Sequence, residues 1–204
     1  MPGPFIQIDQ LHRTYREGDQ SQPVLRGASL TIQVGEMVAL LGRSGSGKST
    51  LLNVISGIDR VDSGTVMVDG VDLTKLSERD NTLFRRRHIG FIYQFFNLVP
   101  TLTAAENIAL VLELNRCSRA EIEEKTDHLL RAIDLAAQGD RFPDQLAGGE
   151  QQRVAIARAL VHSPKLVLAD EVTGNLDAET GQRVLALLKA LTVRNRTTLV
   201  LVTH

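Results

Sequence analysis

The sequence predicts an α/β domain with a parallel-sheet core, an antiparallel β subdomain near the N-terminus and a helical insertion in its second half. Three observations carry this expectation. Four short apolar runs, at 37–41, 89–93, 166–169 and 198–202, are continuous rather than alternating, as in strands covered on both faces. The first third holds β-branched, strand-like runs broken by turn signals. Helical periodicity with start signals fills the stretch between the second and third apolar runs.

Taken in order, 5–11 and 24–32 read as strands, with 17–22 as a polar turn between them. Thr65-Val66-Met67-Val68 runs into Asp69-Gly70 and then Val71, a strong hairpin signal. Thr103-Ala104-Ala105-Glu106 and Ser118-Arg119-Ala120-Glu121 both match the capping box, in which hydroxyl and carboxylate satisfy free helix amides reciprocally. After the second box, Ile122, Leu129, Leu130 and Ile133 fall on one helical face. A further helix is expected over 149–162, with Val154, Ala157 and Val161 inward and Pro164 just beyond. The helical insertion then spans about 95–163, inside a single domain covering 1–204.

With 43% apolar and 23% charged residues, 204 residues suffice for one large core and are too few for two domains of ordinary size. The formal net charge of −1, from 23 basic and 24 acidic residues, argues against a general nucleic-acid surface. A single cysteine, Cys117, suits a reducing cytosol. Residues 1–4 lack the basic and apolar regions of a signal peptide, and no apolar run approaches the ~20 residues that cross a bilayer. Direct membrane insertion is therefore not expected, and a membrane role would come through a partner. His12, His128 and His162 have no metal-ligand spacing and read as surface residues.

Gly42-Arg43-Ser44-Gly45-Ser46-Gly47-Lys48-Ser49 fits the phosphate-binding P-loop pattern without mismatch. Its glycines let the backbone curl so that successive N–H groups point at phosphate oxygens, and the helix that follows adds its positive dipole end. Lys48 is placed to reach β- and γ-phosphates, Ser49 to hold Mg²⁺, and Thr50 to support the α-phosphate. The run 166–169 ends in Asp170 and Glu171. Asp170 is expected to orient the Mg²⁺ shell, and Glu171, pointing differently, to polarise the attacking water as general base.

At Leu146-Ala147-Gly148-Gly149-Glu150-Gln151-Gln152-Arg153 the sequence resembles the signature of the ABC ATPases, and the resemblance covers essentially the whole chain. It implies a P-loop NTPase of ABC type that binds and hydrolyses ATP with Mg²⁺. Under it, Tyr15 resembles the aromatic that stacks on adenine. Gln94 resembles the glutamine that touches Mg²⁺ and water. Asn175-Leu176-Asp177 resembles the loop between protomers, and His204 the switch histidine at the γ-phosphate. The segment 147–150 would complete the ATP site of the opposite protomer in a head-to-tail homodimer. Bare backbone at Gly148 and Gly149, opening a helix, suits that close approach to an anion. Two residues depart from the pattern. Ala147 stands where serine is usual and lacks a hydroxyl for the γ-phosphate, and Val172 replaces a proline, which frees φ and is expected to loosen the next turn. Members of the family continue past the switch histidine, so the sequence reads as ending early at His204.

Arg85-Arg86-Arg87 through Leu98, Glu150, and 169–177 are similar to the subgroup serving lipoprotein release and macrolide export. This implies an ATP-binding subunit on the cytoplasmic face of the inner membrane, powering export or release through separate membrane-spanning permease subunits. A cell-division-type ABC ATPase that drives a membrane partner without transport, and a non-transport ABC ATPase, remain alternatives. Arg85, Arg86 and Arg87 read as a solvated positive face. Phe95, Phe96 and Leu98 read either as core or as the lining of a groove for a coupling helix of the membrane subunit.

Overall fold

The computed structural model describes residues 3–18 and 20–203. Strands β1 (Ile6–Glu17) and β2 (Gln20–Ile32) pair antiparallel from Ile6↔Ile32 out to Arg16↔Ser21 and Glu17↔Gln20. The polar stretch 17–22 expected as a turn is therefore mostly ladder. Its side chains carry no apolar alternation, yet the backbone bonds of a two-stranded ribbon need none. Before the third strand of this sheet comes β3 (Met37–Leu41), which belongs to the other sheet. β4 (Ser63–Val68) and β5 (Val71–Asp72) form the expected hairpin, with φ of 50° at Asp69 and 76° at Gly70, as a type I′ turn requires. Pairing of β1 with β4 completes the first sheet, in the order β2-β1-β4-β5.

All four apolar runs meet in the second sheet. β3, β6 (Ile89–Ile92), β7 (Leu166–Asp170) and β8 (Thr198–Thr203) are parallel and lie in the order β3-β8-β7-β6. β7 is covered on both faces, with 166–169 at 0% exposure. Leu166 and Leu168 pack with Ile6, Ile55 and Val66 beneath the antiparallel sheet, whereas Val167 and Ala169 pack with Ile108, Ile156 and Leu188 on the helical side. The edge strand β3 departs from expectation. Val38 and Leu40 join the core, but Met37 and Leu41 are 42% and 72% exposed, because no described element lies over that face.

The helices are α1 (Lys48–Ile55), α2 (Glu78–His88), α3 (Ala104–Leu114), α4 (Arg119–Ala132), α5 (Gly148–Leu160) and α6 (Ala178–Arg194). At α3 the capping box closes in both directions: Glu106 Oε2 accepts from Thr103 N at 2.8 Å, and Thr103 Oγ1 accepts from Glu106 N at 3.2 Å. At α4 only half of it forms. Ser118 Oγ accepts from Glu121 N, but the Glu121 carboxylate is drawn to Lys125 at 2.7 Å, one turn along. Fully buried Asn107 ties down the approach to α3, accepting from Val99 N and donating to the carbonyls of Val99, Leu102 and Thr103.

The basic cluster is not a uniformly solvated face. Arg87 is exposed, but Arg85 and Arg86 are half-buried. Arg85 donates to the carbonyl of Gly57 at 2.7 Å, just past the C-terminus of α1, where free carbonyls and the helix dipole favour a cation. His162 is not a surface residue either. It is half-buried, and its Nε2 donates to the Ile89 carbonyl at 3.3 Å. Burial lowers its pKa from 6.5 to about 4, partly opposed by that hydrogen bond and reinforced by nearby His88 and Lys125. Between these two values the unfolded chain binds a proton that the folded chain refuses, so stability falls as pH drops through the window and is level above it. In His162→Gln this contribution is gone, while His88, also lowered by burial, keeps its share. Calorimetry at pH 7.5 and pH 5 should show a smaller loss of Tm in the variant than in the parent.

Candidate functional site

Because the second sheet is parallel, its strands deliver their following loops to one carboxyl edge, where α/β folds place ligands. β3 ends at Leu41 and opens into the glycine loop. Its neighbour β8 reaches Thr203, opposite Leu41, and β7 ends at Asp170, opposite Val202. β6 ends two residues before Gln94. His204 follows Thr203 and lies outside the described residues.

Gly47 caps α1 with φ of 90°, a value that L side chains rarely adopt, and a Cβ there would lie 3.0 Å from Val24 Cγ1 and 3.2 Å from Val24 O. The loop is thus pressed against β2. Lys48 Nζ donates to the carbonyls of Gly42 at 2.7 Å and Arg43 at 3.0 Å, and Ser46 N donates to Arg43 O. The ammonium holds the curl closed from inside, within the ring of backbone that would receive a phosphate. Ser44, Gly45, Gly47, Lys48, Ser49 and Thr50 line a cleft of about 260 Å³, together with Glu171. Gln22 and Val24 of β2 complete its wall. Nothing in the sequence marked these two, since only the long-range approach of Gly47 to β2 brings them there.

Asp170 and Glu171 differ in setting, and only Glu171 lines the cleft. Asp170 is half-buried, with Oδ1 fully enclosed and not hydrogen-bonded to the protein. Glu171 still bonds β8 through its N–H, to Val202 O at 3.1 Å, and then turns the chain out of the strand with φ of 46°, a strained value for a non-glycine residue. Val172 does not loosen the next turn. Its side chain is buried at 2% exposure, and Gly174 N donates to Glu171 O at 3.0 Å, so valine exchanges proline's rigidity for core packing.

Gln94 is held through its main chain, whose carbonyl accepts from Asn175 Nδ2 at 2.8 Å. Its side-chain amide lies against Gly174, where a Cβ would be 2.8 Å from Nε2. The next residues turn sharply, with φ of 56° at Phe96 and 49° at Asn97, and Arg158 of α5 clamps both of their carbonyls. Asp177 caps α6 by accepting from Thr180 N at 2.9 Å.

The Ala147–Glu150 segment stands elsewhere. Ala147 caps α5 without a side-chain acceptor, and Glu150 Oε2 accepts from Ala147 N at 2.9 Å, which is half of a capping box. Gly149 packs so tightly on α6 that a Cβ would sit 2.5 Å from Thr180 Cγ2. Ala147, Gly149 and Glu150 border a cavity of about 360 Å³ with Arg153 and Arg183, separate from the phosphate cleft. Tyr15 also lies outside that cleft's lining. It pairs with Gln22, its ring faces the Arg13 guanidinium at 4.8 Å, and its hydroxyl donates to Asp59 at 2.6 Å.

Beside α2, an apolar groove of about 480 Å³ is bordered by Phe91, Tyr93, Val111 and Leu114, with Arg85 and Arg158 among its polar residues. Phe95, Phe96 and Leu98 do not line it. Phe95 is 71% exposed, and Leu98 packs on the helical core.

This is the architecture of a phosphate-binding α/β cassette. The sequence profile of the family described as "ABC transporter" matches residues 25–174. An uncharacterized ABC transporter ATP-binding protein of Mycobacterium tuberculosis is 51% identical over 98% of this chain and 81% of its own. The lipoprotein-releasing system ATP-binding protein LolD of Bordetella pertussis is 46% identical over 99% of this chain and 87% of its own. The macrolide export ATP-binding/permease protein MacB of Rhodopirellula baltica is also 46% identical, over 98% of this chain but 30% of its own. Among solved structures, the ATP-binding cassette MJ0796, as a post-hydrolysis dimer bound to ADP and Pi, superposes with a TM-score of 0.89. It is 39% identical, and the match covers 98% of this chain and 88% of that one. The chain belongs to the ABC transporter family.

Lys48→Ala removes the cation from the phosphate ring, and charge-assisted hydrogen bonds contribute roughly 1.5–3 kcal/mol each. Equilibrium titration with a fluorescent ATP analogue should show affinity reduced at least about tenfold. Unchanged affinity would mean that the cleft is not where phosphate binds.

Proposed function

We propose that this chain is the ATP-binding and ATP-hydrolysing subunit of an ABC transporter, working as a head-to-tail homodimer on separate membrane-spanning permease subunits to export or release a substrate. One observation carries the reading: Lys48, Ser49 and Glu171 share a single cleft although they come from opposite ends of the sequence. In that cleft the phosphate chain meets the N–H groups of the glycine loop and the N-terminus of α1, and Lys48 exchanges its carbonyl partners for β- and γ-oxygens. Glu171 accepts a proton from the attacking water as general base, and Gln94 and His204 orient water and γ-phosphate. Tyr15 presents its ring to the adenine. The chain folds as one cassette, with the helices between β6 and β7 as its subdomain.

Ser49, Asp170 and Gln94 would hold Mg²⁺. An enclosed carboxylate oxygen with no protein donor, at the sheet edge beside the phosphate loop, suits a hard dication. Bound there, Mg²⁺ supplies charge neutralisation for the phosphates.

In the dimer, Ala147, Gly148, Gly149 and Glu150 face the partner protomer's nucleotide, which accounts for their distance from their own phosphate cleft. The apolar groove receives a helix of the permease. Attachment to the cytoplasmic face runs through that groove, and no helix among the described residues is long and apolar enough to cross a membrane. The lipoprotein-release and macrolide-export relatives support placing the chain in their branch of the family.

Glu171→Gln should lower the phosphate-release rate at saturating Mg-ATP at least about a hundredfold, the ordinary range for loss of a general base. ATP affinity should persist, and light scattering should show an ATP-dependent dimer. Adding Ala147→Ser to that variant supplies a hydroxyl donor and should shift the dimerisation midpoint to protein concentrations about tenfold lower. Monomer throughout, with ATP bound, would overturn the dimer assignment.

A further inference from the structure

Arg158 of α5 is half-buried and forms no ion pair with any carboxylate among the described residues. Burial pulls its pKa below the ordinary arginine value. A charge withdrawn from water without a counter-ion is costly unless its donors are met. Main chain meets them here: Nη1 donates to Asn97 O at 2.5 Å and Nη2 to Phe96 O at 2.8 Å. One planar fork spans two consecutive carbonyls, a geometry that suits guanidinium and not a point charge.

Both carbonyls belong to the turn that follows Gln94, and that turn has an unfavourable backbone. Phe96, with φ of 56°, is the centre of a three-residue turn closed by Asn97 N on Phe95 O, the rare form with positive φ. Asn97 is left-handed as well, with φ of 49°. Packing offsets little of this, because Phe95 and Asn97 are both exposed. Polar contacts therefore hold the turn. At its other end Asn175 Nδ2 donates to Gln94 O at 2.8 Å. Gly174 leaves room for the Gln94 side chain, whose Nε2 lies 2.8 Å from where a Cβ would stand. Only Phe95 separates the two holds, so the main chain of Gln94 is fixed from both sides.

We propose that Arg158 is a positioning residue for ATP hydrolysis: by fixing the carbonyls of Phe96 and Asn97 to α5 it sets, together with Asn175, where the Gln94 amide stands. This rests on the reading of the chain as an ATPase in which Gln94 orients water. Arg158 does not line the phosphate cleft, so it acts through Gln94 and not on the nucleotide. Without the fork, the strained turn loses two charge-assisted bonds and relaxes towards ordinary backbone. Gln94 then shifts with it. A misplacement of about 1 Å in a group that orients a reactant can cost up to about a hundredfold in rate.

The test is a double-mutant cycle on the full chain, read by steady-state phosphate release with Mg-ATP. Arg158→Met keeps the length of the side chain and removes the fork. It should lower kcat about tenfold and leave KM for ATP within about twofold, since the glycine loop holds the nucleotide. In a Gln94→Ala background, itself slower than the parent, the same change should cost nothing more. A merely structural arginine would cost the same in both backgrounds, and that result would overturn the proposal. So would parental kcat in Arg158→Met. If thermal unfolding shows that Arg158→Met does not fold, Arg158→Lys keeps the charge without the fork and is judged in the two backgrounds by the same criterion. A parental rate in Gln94→Ala alone would instead remove the role of Gln94, and with it the reading on which the proposal rests.

Discussion

The ladder that β8 makes with β3 on one side and β7 on the other holds the site together, because β8 alone separates the strand of the phosphate loop from the strand of the acids. β3 and β6, the earlier strands, form the two edges, and the later strands β7 and β8 fill the space between them. Register then sets the chemistry. Leu41 stands level with Thr203, and Asp170 with Val202. With strands about 4.8 Å apart, the glycine loop and Asp170 leave the sheet roughly 10 Å from each other, a span that a metal-bound triphosphate can bridge. A slip of one residue would turn Asp170 to the opposite face and put Ala169 at the rim.

Such a register tolerates no ambiguity, and β7 removes it through burial. Its alternate residues are claimed by different cores, Leu166 and Leu168 by the antiparallel side and Val167 and Ala169 by the helical side. Burying each of these side chains contributes on the order of 1–3 kcal/mol, so any shift is opposed from both faces. Against this fixed frame the residues at the rim break ordinary rules. Glu171, Phe96 and Asn97 are left-handed without being glycine, and Asp170 and Gln152 keep polar atoms unsatisfied inside the protein. At the rim these departures are supported by packing on both faces of β7.

Legibility in the sequence divides along the same line. The glycine loop, the Asp170–Glu171 strand end, the Asp69-Gly70 hairpin and the Thr103 cap are local patterns, with cause and consequence a few residues apart. The four apolar runs were legible because continuous hydrophobicity has few explanations. Contacts between distant segments were not. Arg85 seemed one of three solvated arginines until the end of α1 came beneath it, and His162 seemed exposed until β6 covered it. Gln22 and Val24 joined the cleft only because Gly47 presses on β2. β3 looked as buried as β7, since hydrophobicity reports that a strand is covered but not that one face at a sheet edge stays open. Phe95, Phe96 and Leu98 read as core or groove lining: Leu98 packs on the core, and the groove beside α2 is bordered by side chains before the turn and on α3, where two left-handed residues redirect the chain.

The start of α5 shows how one substitution acts on two states at once. A serine before Gly148 would accept from the Glu150 N–H as an ordinary cap while Glu150 returned the bond to the serine's own N–H. With Ala147 only the second of these exists, so the Glu150 N–H is one of the free donors at the helix end. Without a ligand that raises the energy of the helix start by about 1 kcal/mol, the usual cost of a missing cap. In the proposed dimer, an anion arriving from a partner protomer would find one more backbone donor than a capped helix offers, and satisfying it would recover part of what the absent hydroxyl would have given. The recovery is incomplete. A hydroxyl accepts from the N–H through a lone pair and donates its own proton to the phosphate, so serine adds a donor without removing one. The Glu150 carboxylate, turned back to Ala147 N, also leaves a negative charge beside the incoming phosphate. The proposed sandwich on Ala147 should therefore be weaker than one built on serine, and its partner-facing helix should gain more from nucleotide, because it is less complete without it.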